Sequence, residues 1–324
     1  MDKLRVFSGN ANPKLAENIA AELGVELGRV QVSQFADGEI SVKIEESARG
    51  LDVFVIQPTC RPVNRNLMEL LIMVDAFRRA SAKRITAVMP YYGYARQDKK
   101  VKPREPVTAR LIANLITVAG ANRVLCLDLH AGQIQGFFDI PVDHLIAGPL
   151  IGETLIKRGL AGPGTVVVSP DVGGVARARA LAEQLESPIA IIAKRRPEPN
   201  QVEILEIVGD VAGRTCVMVD DMIDTGGSIV QGAVKLLERG ATEVHACCTH
   251  GVLSGDALQR VLQSPLASLM VTDSIPLPSL DGDAAAVASR IRVISVAKLL
   301  AGAIERIHAD HSVSEMFTEY GRYA

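Results

Sequence analysis

The chain has 324 residues, 48% of them hydrophobic and 22% charged, which describes a soluble globular protein long enough for two domains of ordinary size. With 35 lysines and arginines against 37 aspartates and glutamates, the formal net charge is −2. That balance excludes a general electrostatic pull toward nucleic acid, so any phosphate the protein holds must be held locally. No stretch reads as a membrane span, and the opening MDKLRVFSGNANPK lacks the apolar core and cleavage site of a signal peptide, so a cytoplasmic protein is expected. The cysteines Cys60, Cys126, Cys216, Cys247 and Cys248 have no CxxC spacing and read as reduced core residues.

Short apolar runs alternate with longer helical patterns along the chain. LRVFS (4–8) reads as a strand, followed by Asn12 and Pro13 as N-cap and first helical residue of LAENIAAELG. VQVSQF and ISVKI flank Asp37-Gly38, a strong hairpin signal. Further strands are expected at 52–57, 84–90, 123–130, 165–169, 188–193, 214–219, 243–250 and 268–273. Most are continuously apolar, as strands covered by helices on both faces are, which predicts α/β architecture with doubly wound, mostly parallel sheets. ASAKRITAVMPY, AGANRVLCLDLH and RGATEVHACCTH echo one another. The echo is either what any αβ connection looks like or a true duplication. Duplication implies two similar domains, 1–148 and 149–298, with the C-terminal segment from about 299 to 324 returning to the first.

VMVDDMIDTGGS (217–228) sets three carboxylates against Thr225, Gly226, Gly227 and Ser228, between the strand RTCVMV and the helical SIVQGAVKLLERG. DDMIDTGGS then reads as the turn at the carboxyl edge of a parallel sheet, where such folds bind ligands. Converging glycine N–H groups, two hydroxyls and a helix N-terminus suit a phosphate monoester. The carboxylates would repel that phosphate, so they face ribose hydroxyls or a magnesium ion. The plainer alternative is a helix start capped by Asp224 or Ser228, with Asp220 and Asp221 solvated. SPDVGGVARAR (169–179) repeats the design, with Asp171, Val172, Gly173 and Gly174 before a helix whose early turns carry Arg177 and Arg179. It is a second phosphate cradle or a plain helix start. AKRRPEPNQVEI (193–204) reads as a strand, a proline-rich turn and a return strand whose tip has little to bury. His130 ends a strand and stays unassigned on residue chemistry alone, since imidazole is not the preferred donor of magnesium.

In order along the chain, GNANPKLAENIA, FADGEI, YYGYARQDKK, HAGQIQGFFDIPVDHL, PDVGG, AKRRPEPN and VMVDDMIDTGGS resemble the ribose-phosphate pyrophosphokinases of class I, which share the last motif with type I phosphoribosyltransferases. The resemblance covers essentially the whole chain. It implies transfer of the diphosphoryl group of ATP to the anomeric hydroxyl of ribose 5-phosphate, with Mg2+ and release of AMP, for nucleotide, histidine and tryptophan biosynthesis. Residue by residue, it implies Lys194 and Arg196 as the catalytic pair, Arg196 also touching ribose 5-phosphate. Phe35, Asp37, Gly38, Glu39, Arg96 and Gln97 are implied for ATP, with Phe35 on the adenine and the hairpin acting across a subunit interface. Asp220, Asp221, Asp224, Thr225, Gly226, Gly227 and Ser228 are implied for ribose 5-phosphate, Asp171 to Gly174 for the diphosphate, and His130 with Asp171 for the metal. Gly132 stands where many relatives carry an acidic or larger residue, which removes any further ligand there. The resemblance also implies a homo-hexamer activated by inorganic phosphate and inhibited by ADP, with Ser47, Arg49, Arg104, Ser312 and Ser314 in the regulatory site.

Overall fold

The computed structural model describes residues 3–195, 204–278, 287 and 289–316. The chain divides into a first compact unit of residues 1–146, 274–276 and 295–317, and a second of 147–273 and 277–294. The division falls between Ile146 and Ala147, two residues before the expected one between 148 and 149.

The first unit begins with β1 (Leu4–Ser8) and α1 (Pro13–Glu22). Asn12 starts the helix because its side chain accepts the Leu15 N–H at 3.2 Å, and Pro13 gives up a donor that a first turn leaves unpaired anyway. An antiparallel pair, β2 (Val30–Gln34) and β3 (Ile40–Ile44), comes next. Then follow β4 (Asp52–Ile56), α2 (Val63–Arg79), β5 (Arg84–Met89), α3 (Thr108–Ala119), β6 (Arg123–Leu127) and β7 (Val142–Leu145). The five strands of the main sheet lie in the order β1-β4-β5-β6-β7, all parallel. Every residue of β4 is buried, as a strand covered on both faces requires. On one face Val53, Val55, Ile85, Ala87, Val124 and Cys126 pack with Leu70, Met73, Phe77 and Ile116 of α2 and α3. The C-terminal helix α8 (Ala297–His308) packs on α1. Arg84 at the start of β5 fastens it, donating to the Ile307 carbonyl at 2.8 Å and pairing with Asp52 and Asp310. The returning helix therefore ends well short of residue 324, and residues 317–324 lie outside the described chain.

The second unit starts with α4 (Gly148–Lys157), β8 (Thr165–Ser169) and α5 (Val175–Gln184). An antiparallel pair, β9 (Ile189–Arg195) and β10 (Ile204–Val208), follows. The rest is β11 (Thr215–Ile223), α6 (Gly227–Glu238), β12 (Glu243–Gly251), α7 (Ala257–Leu262), β13 (Ser268–Thr272) and β14 (Ile291–Ile294). Its seven strands run β10-β9-β8-β11-β12-β13-β14. Val166, Val168, Cys216 and Met218 face α6 and α7, while Val167, Val217 and Val219 face α4 and α5. Alternate residues feeding opposite cores are the signature of a doubly wound sheet.

Both units use one connectivity: a first strand, an antiparallel pair, then four parallel strands added in sequence. β5 and β12, which carry two of the echoing segments, are equivalent in it. One expectation needs correction. The turn after RTCVMV was read as beginning at Asp220, but β11 pairs with β12 out to Ile223↔Gly251, with Asp220 opposite Cys248. Asp220 and Asp221 are strand residues, because the neighbouring strand extends equally far and keeps their backbone in the ladder. The true turn is Asp224 to Gly226.

Candidate active site

In the second unit the turn from β11 to α6 places Gly226 at the N-cap position with φ +72°, a conformation that L side chains rarely adopt, so the N-cap residue itself has no side-chain acceptor. Thr225 and Ser228 are exposed, and the first-turn N–H groups carry the partial positive charge of the helix. The loop is braced from outside: Ser254 N–H donates to the Asp224 carbonyl at 3.0 Å and Arg260 of α7 donates to the Thr225 carbonyl at 2.5 Å. Arg260 was not legible as a site residue, since only the fold brings α7 to this turn.

Beside the loop, the Asp221 side chain is buried and the Asp220 side chain is 28% exposed. Arg177 Nη1 lies 3.1 Å from Asp220 Oδ1 and 3.5 Å from Asp221 Oδ1. Burial pushes the Asp220 carboxyl up to about 7, the Asp221 carboxylate pushes the same way, and the Arg177 guanidinium opposes them. Of the two arginines in the early turns of α5, Arg177 reaches the acid pair on the adjacent strand, while Arg179 is exposed.

The turn from β8 to α5 is the second glycine loop, and β8 is the direct neighbour of β11. Asp171 Oδ1 accepts the Gly174 N–H at 2.9 Å, and Ser169 Oγ donates to the Asp171 carbonyl at 2.6 Å. A Cβ on Gly174 would lie 2.9 Å from Ser169 Oγ, so the turn is tight. Asp171, Val172 and Gly173 are exposed and no side chain caps α5. The second unit thus gathers 171–174 and 220–228 at the carboxyl ends of two adjacent strands.

In the first unit, Phe35, Asp37, Gly38 and Glu39 form the tip of the β2–β3 hairpin. Phe35 and Glu39 close it backbone to backbone at 2.8 Å, Asp37 Oδ1 accepts the Glu39 N–H, and Gly38 has φ +99°. Phe35 is 58% exposed, a large aromatic face with no core around it. Arg96 and Gln97 follow β5 and line a cavity of about 600 Å³ with Asn64, Tyr91 and Tyr94. His130 follows β6 and is exposed; the preceding Leu129 N–H donates to His144 Nε2 at 2.9 Å. Ser47 and Arg49 are exposed between β3 and β4, Arg104 is exposed with φ +70°, and Ser312 and Ser314 share a hydrogen bond of 2.8 Å. Lys194 lies on β9 opposite Leu205, and Arg196 falls outside the described residues.

Among the described residues, no group of three or more His, Cys, Asp or Glu side chains gathers as a metal site. One oxygen of Asp171 is engaged by Gly174, and His130 offers a nitrogen that a hard ion does not prefer. Each is taken by itself: a single carboxylate such as Asp171 suits magnesium only as an ion that keeps most of its shell as water and phosphate oxygens.

An α/β protein with two glycine turns and a carboxylate pair at one sheet edge belongs by fold to the doubly wound class, whose ligands bind at the carboxyl ends of the strands. Residues 4–120 match the model for the N-terminal domain of ribose phosphate pyrophosphokinase, and residues 193–318 match the phosphoribosyl synthetase-associated domain. The chain is 56% identical to a ribose-phosphate pyrophosphokinase of Caldanaerobacter subterraneus subsp. tengcongensis, covering 98% of each chain. It is 59% identical to ribose-phosphate pyrophosphokinase 2 of Enterococcus faecalis, covering 97% of this chain and 96% of the relative. The crystal structure of phosphoribosylpyrophosphate synthetase from Mycobacterium smegmatis matches with TM-score 0.87 at 44% identity, over 95% of this chain and 99% of that one. The chain belongs to the ribose-phosphate pyrophosphokinase family, transferases that make phosphoribosyl pyrophosphate for nucleotide biosynthesis.

Proposed function

We propose that the protein joins ATP and D-ribose 5-phosphate, giving 5-phosphoribosyl 1-diphosphate and AMP. The observation that carries this reading is the α6 turn: a helix start with a left-handed glycine at its N-cap and exposed Thr225 and Ser228, suited to a phosphate, with a carboxylate pair on the adjoining strand end for the sugar. The 5-phosphate sits on 224–228, and Asp220 and Asp221 accept from ribose hydroxyls. The anomeric oxygen attacks the β-phosphorus of ATP, the bond from that phosphorus to the α,β-bridging oxygen breaks, and the hydroxyl proton passes to solvent. The Asp171 to Gly174 turn receives the transferred diphosphate. Lys194 and Arg196 place positive charge on the moving phosphoryl oxygens, the main way such a barrier is lowered. Phe35, Asp37, Glu39, Arg96 and Gln97 hold the nucleotide, the exposed Phe35 offering its face to the adenine. Asp171 and His130 are the residues that would hold Mg2+, which would supply charge neutralisation at the phosphates of ATP.

The same reading makes the protein a cytoplasmic homo-hexamer, activated by inorganic phosphate and inhibited by ADP through Ser47, Arg49, Arg104, Ser312 and Ser314, whose product also serves histidine and tryptophan biosynthesis. The test is a magnesium-dependent assay of the purified protein with both substrates, separating AMP from ADP, with and without inorganic phosphate. AMP and phosphoribosyl diphosphate in equal amounts are expected; ADP formation, or ATP consumption independent of ribose 5-phosphate, refutes the reading.

A further inference from the structure

Arg177 sits in the first turn of α5, just past the Asp171 to Gly174 loop, and its side chain crosses to the neighbouring strand β11. There one guanidinium nitrogen lies 3.1 Å from Asp220 Oδ1 and 3.5 Å from Asp221 Oδ1. Successive strand residues point to opposite faces, so the pleat alone would part these two carboxylates. They nevertheless converge on a single cation, and Asp220 Oδ1 also accepts the Asp221 N–H at 2.8 Å. The arginine is 30% exposed at its side chain, so it is neither a surface residue in free rotation nor a sealed core ion. Its guanidinium is always charged and more weakly hydrated than an ammonium, so it keeps a cation beside both carboxylates at lower desolvation cost than a lysine would.

We propose that Arg177 is a positioning residue that sets Asp220 and Asp221 as a pair for adjacent sugar hydroxyls and thereby governs selection of ribose 5-phosphate over 2-deoxyribose 5-phosphate. The inference rests on the reading of the acid pair as the ribose acceptor. A carboxylate fixed to accept from a hydroxyl penalises an analogue that lacks it, because the acceptor is left unpaired. Without Arg177 its positive charge no longer opposes the two like charges, and Asp220, already raised by burial, takes up a proton more readily and ceases to be a pure acceptor. Selectivity then falls together with affinity for the sugar phosphate, while ATP, whose implied ligands lie elsewhere, is bound as before.

The experiment compares full-length wild type, Arg177→Gln, Arg177→Lys and Asp220→Asn. It measures the KM for ribose 5-phosphate, the corresponding constant for 2-deoxyribose 5-phosphate as alternative substrate or competitive inhibitor, and the KM for ATP. Arg177→Gln is expected to lower the ribose-to-deoxyribose ratio by about tenfold, with the ATP KM within about twofold, and Arg177→Lys to lower the ratio by less. A wild-type ratio in Arg177→Gln overturns the proposal, and so does a loss that falls equally on ribose 5-phosphate and ATP, the mark of a merely structural tie. If Arg177→Gln does not fold, a wild-type ratio in Arg177→Lys overturns it. A lowered ratio in Asp220→Asn with an unchanged one in Arg177→Gln removes the role of Arg177 alone. An unchanged ratio in Asp220→Asn removes the ribose reading of the acid pair itself.

Discussion

The two units share a connectivity, so their turns can be compared position by position. The turn from β1 to α1 is the counterpart of the one from β8 to α5. In the first unit that turn is filled by the protein itself. Asn12 caps α1, Ala11 N–H donates to Gln57 Oε1 at 3.1 Å, and the fully buried Glu69 carboxylate accepts from Asn10 N–H, Gln57 and Arg65. A Cβ on Gly9 would sit 2.3 Å from the Gln57 amide oxygen, so nothing else can enter. In the second unit the N-cap residues of α5 and α6 are glycines, Asp171 accepts the Gly174 N–H, and the loop residues Thr225 and Ser228 reach solvent. One fold therefore supplies the same sheet edge twice, closed by a buried carboxylate in the first unit and carrying exposed loop residues in the second, where the proposed function seats a phosphate.

Breaking the filled turn has the largest expected effect. Glu69→Ala strands the buried Gln57 amide donor and removes the acceptor of Asn10 and the partner of Arg65, and should cost roughly 3 kcal/mol in denaturant unfolding. Filling the open turn comes next. A Cβ on Gly227 meets nothing closer than Arg260 at 3.8 Å, so Gly227→Asp is accommodated and places an internal anion in the cradle. The KM for ribose 5-phosphate should rise about 100-fold, roughly 2.7 kcal/mol, with the ATP KM unchanged. The smallest effect concerns Asp220. Its carboxyl is raised in the folded protein to about 7, so its protonated form is favoured by folding and this contribution is lost as pH rises through that value. Asp220→Asn should therefore melt a few degrees above wild type at pH 8 and equal to it near pH 4, in thermal scans without ligand. A variant less stable at pH 8 would mean that the pair with Arg177 outweighs burial.

The alternation of buried strands and helices was legible because strands covered on both faces leave continuous apolar runs, as DVFVI and TVVVS do. The glycine turns were legible because their residue types are locally constrained. What failed was whatever depends on a neighbour in space. Asp220 and Asp221 looked like turn residues until the length of β12 was known. Arg177 announced a cation but not the acids it meets. Glu69, inside the helical NLMELLIM, has the spacing of an ordinary amphipathic helix, and only the fold buries it completely. β7 and β14 are four residues each, the first half polar and the second interrupted by Arg292, too short to stand out from loop. The arm from 196 to 203, and with it the catalytic assignment of Arg196, lies outside the described residues.

The most direct test of the account is a crystal structure of the protein with ribose 5-phosphate. The account predicts the phosphate on the N–H groups of 225–228 and the ribose hydroxyls on Asp220 and Asp221. A phosphate bound elsewhere, with the α6 turn carrying only water, would contradict it.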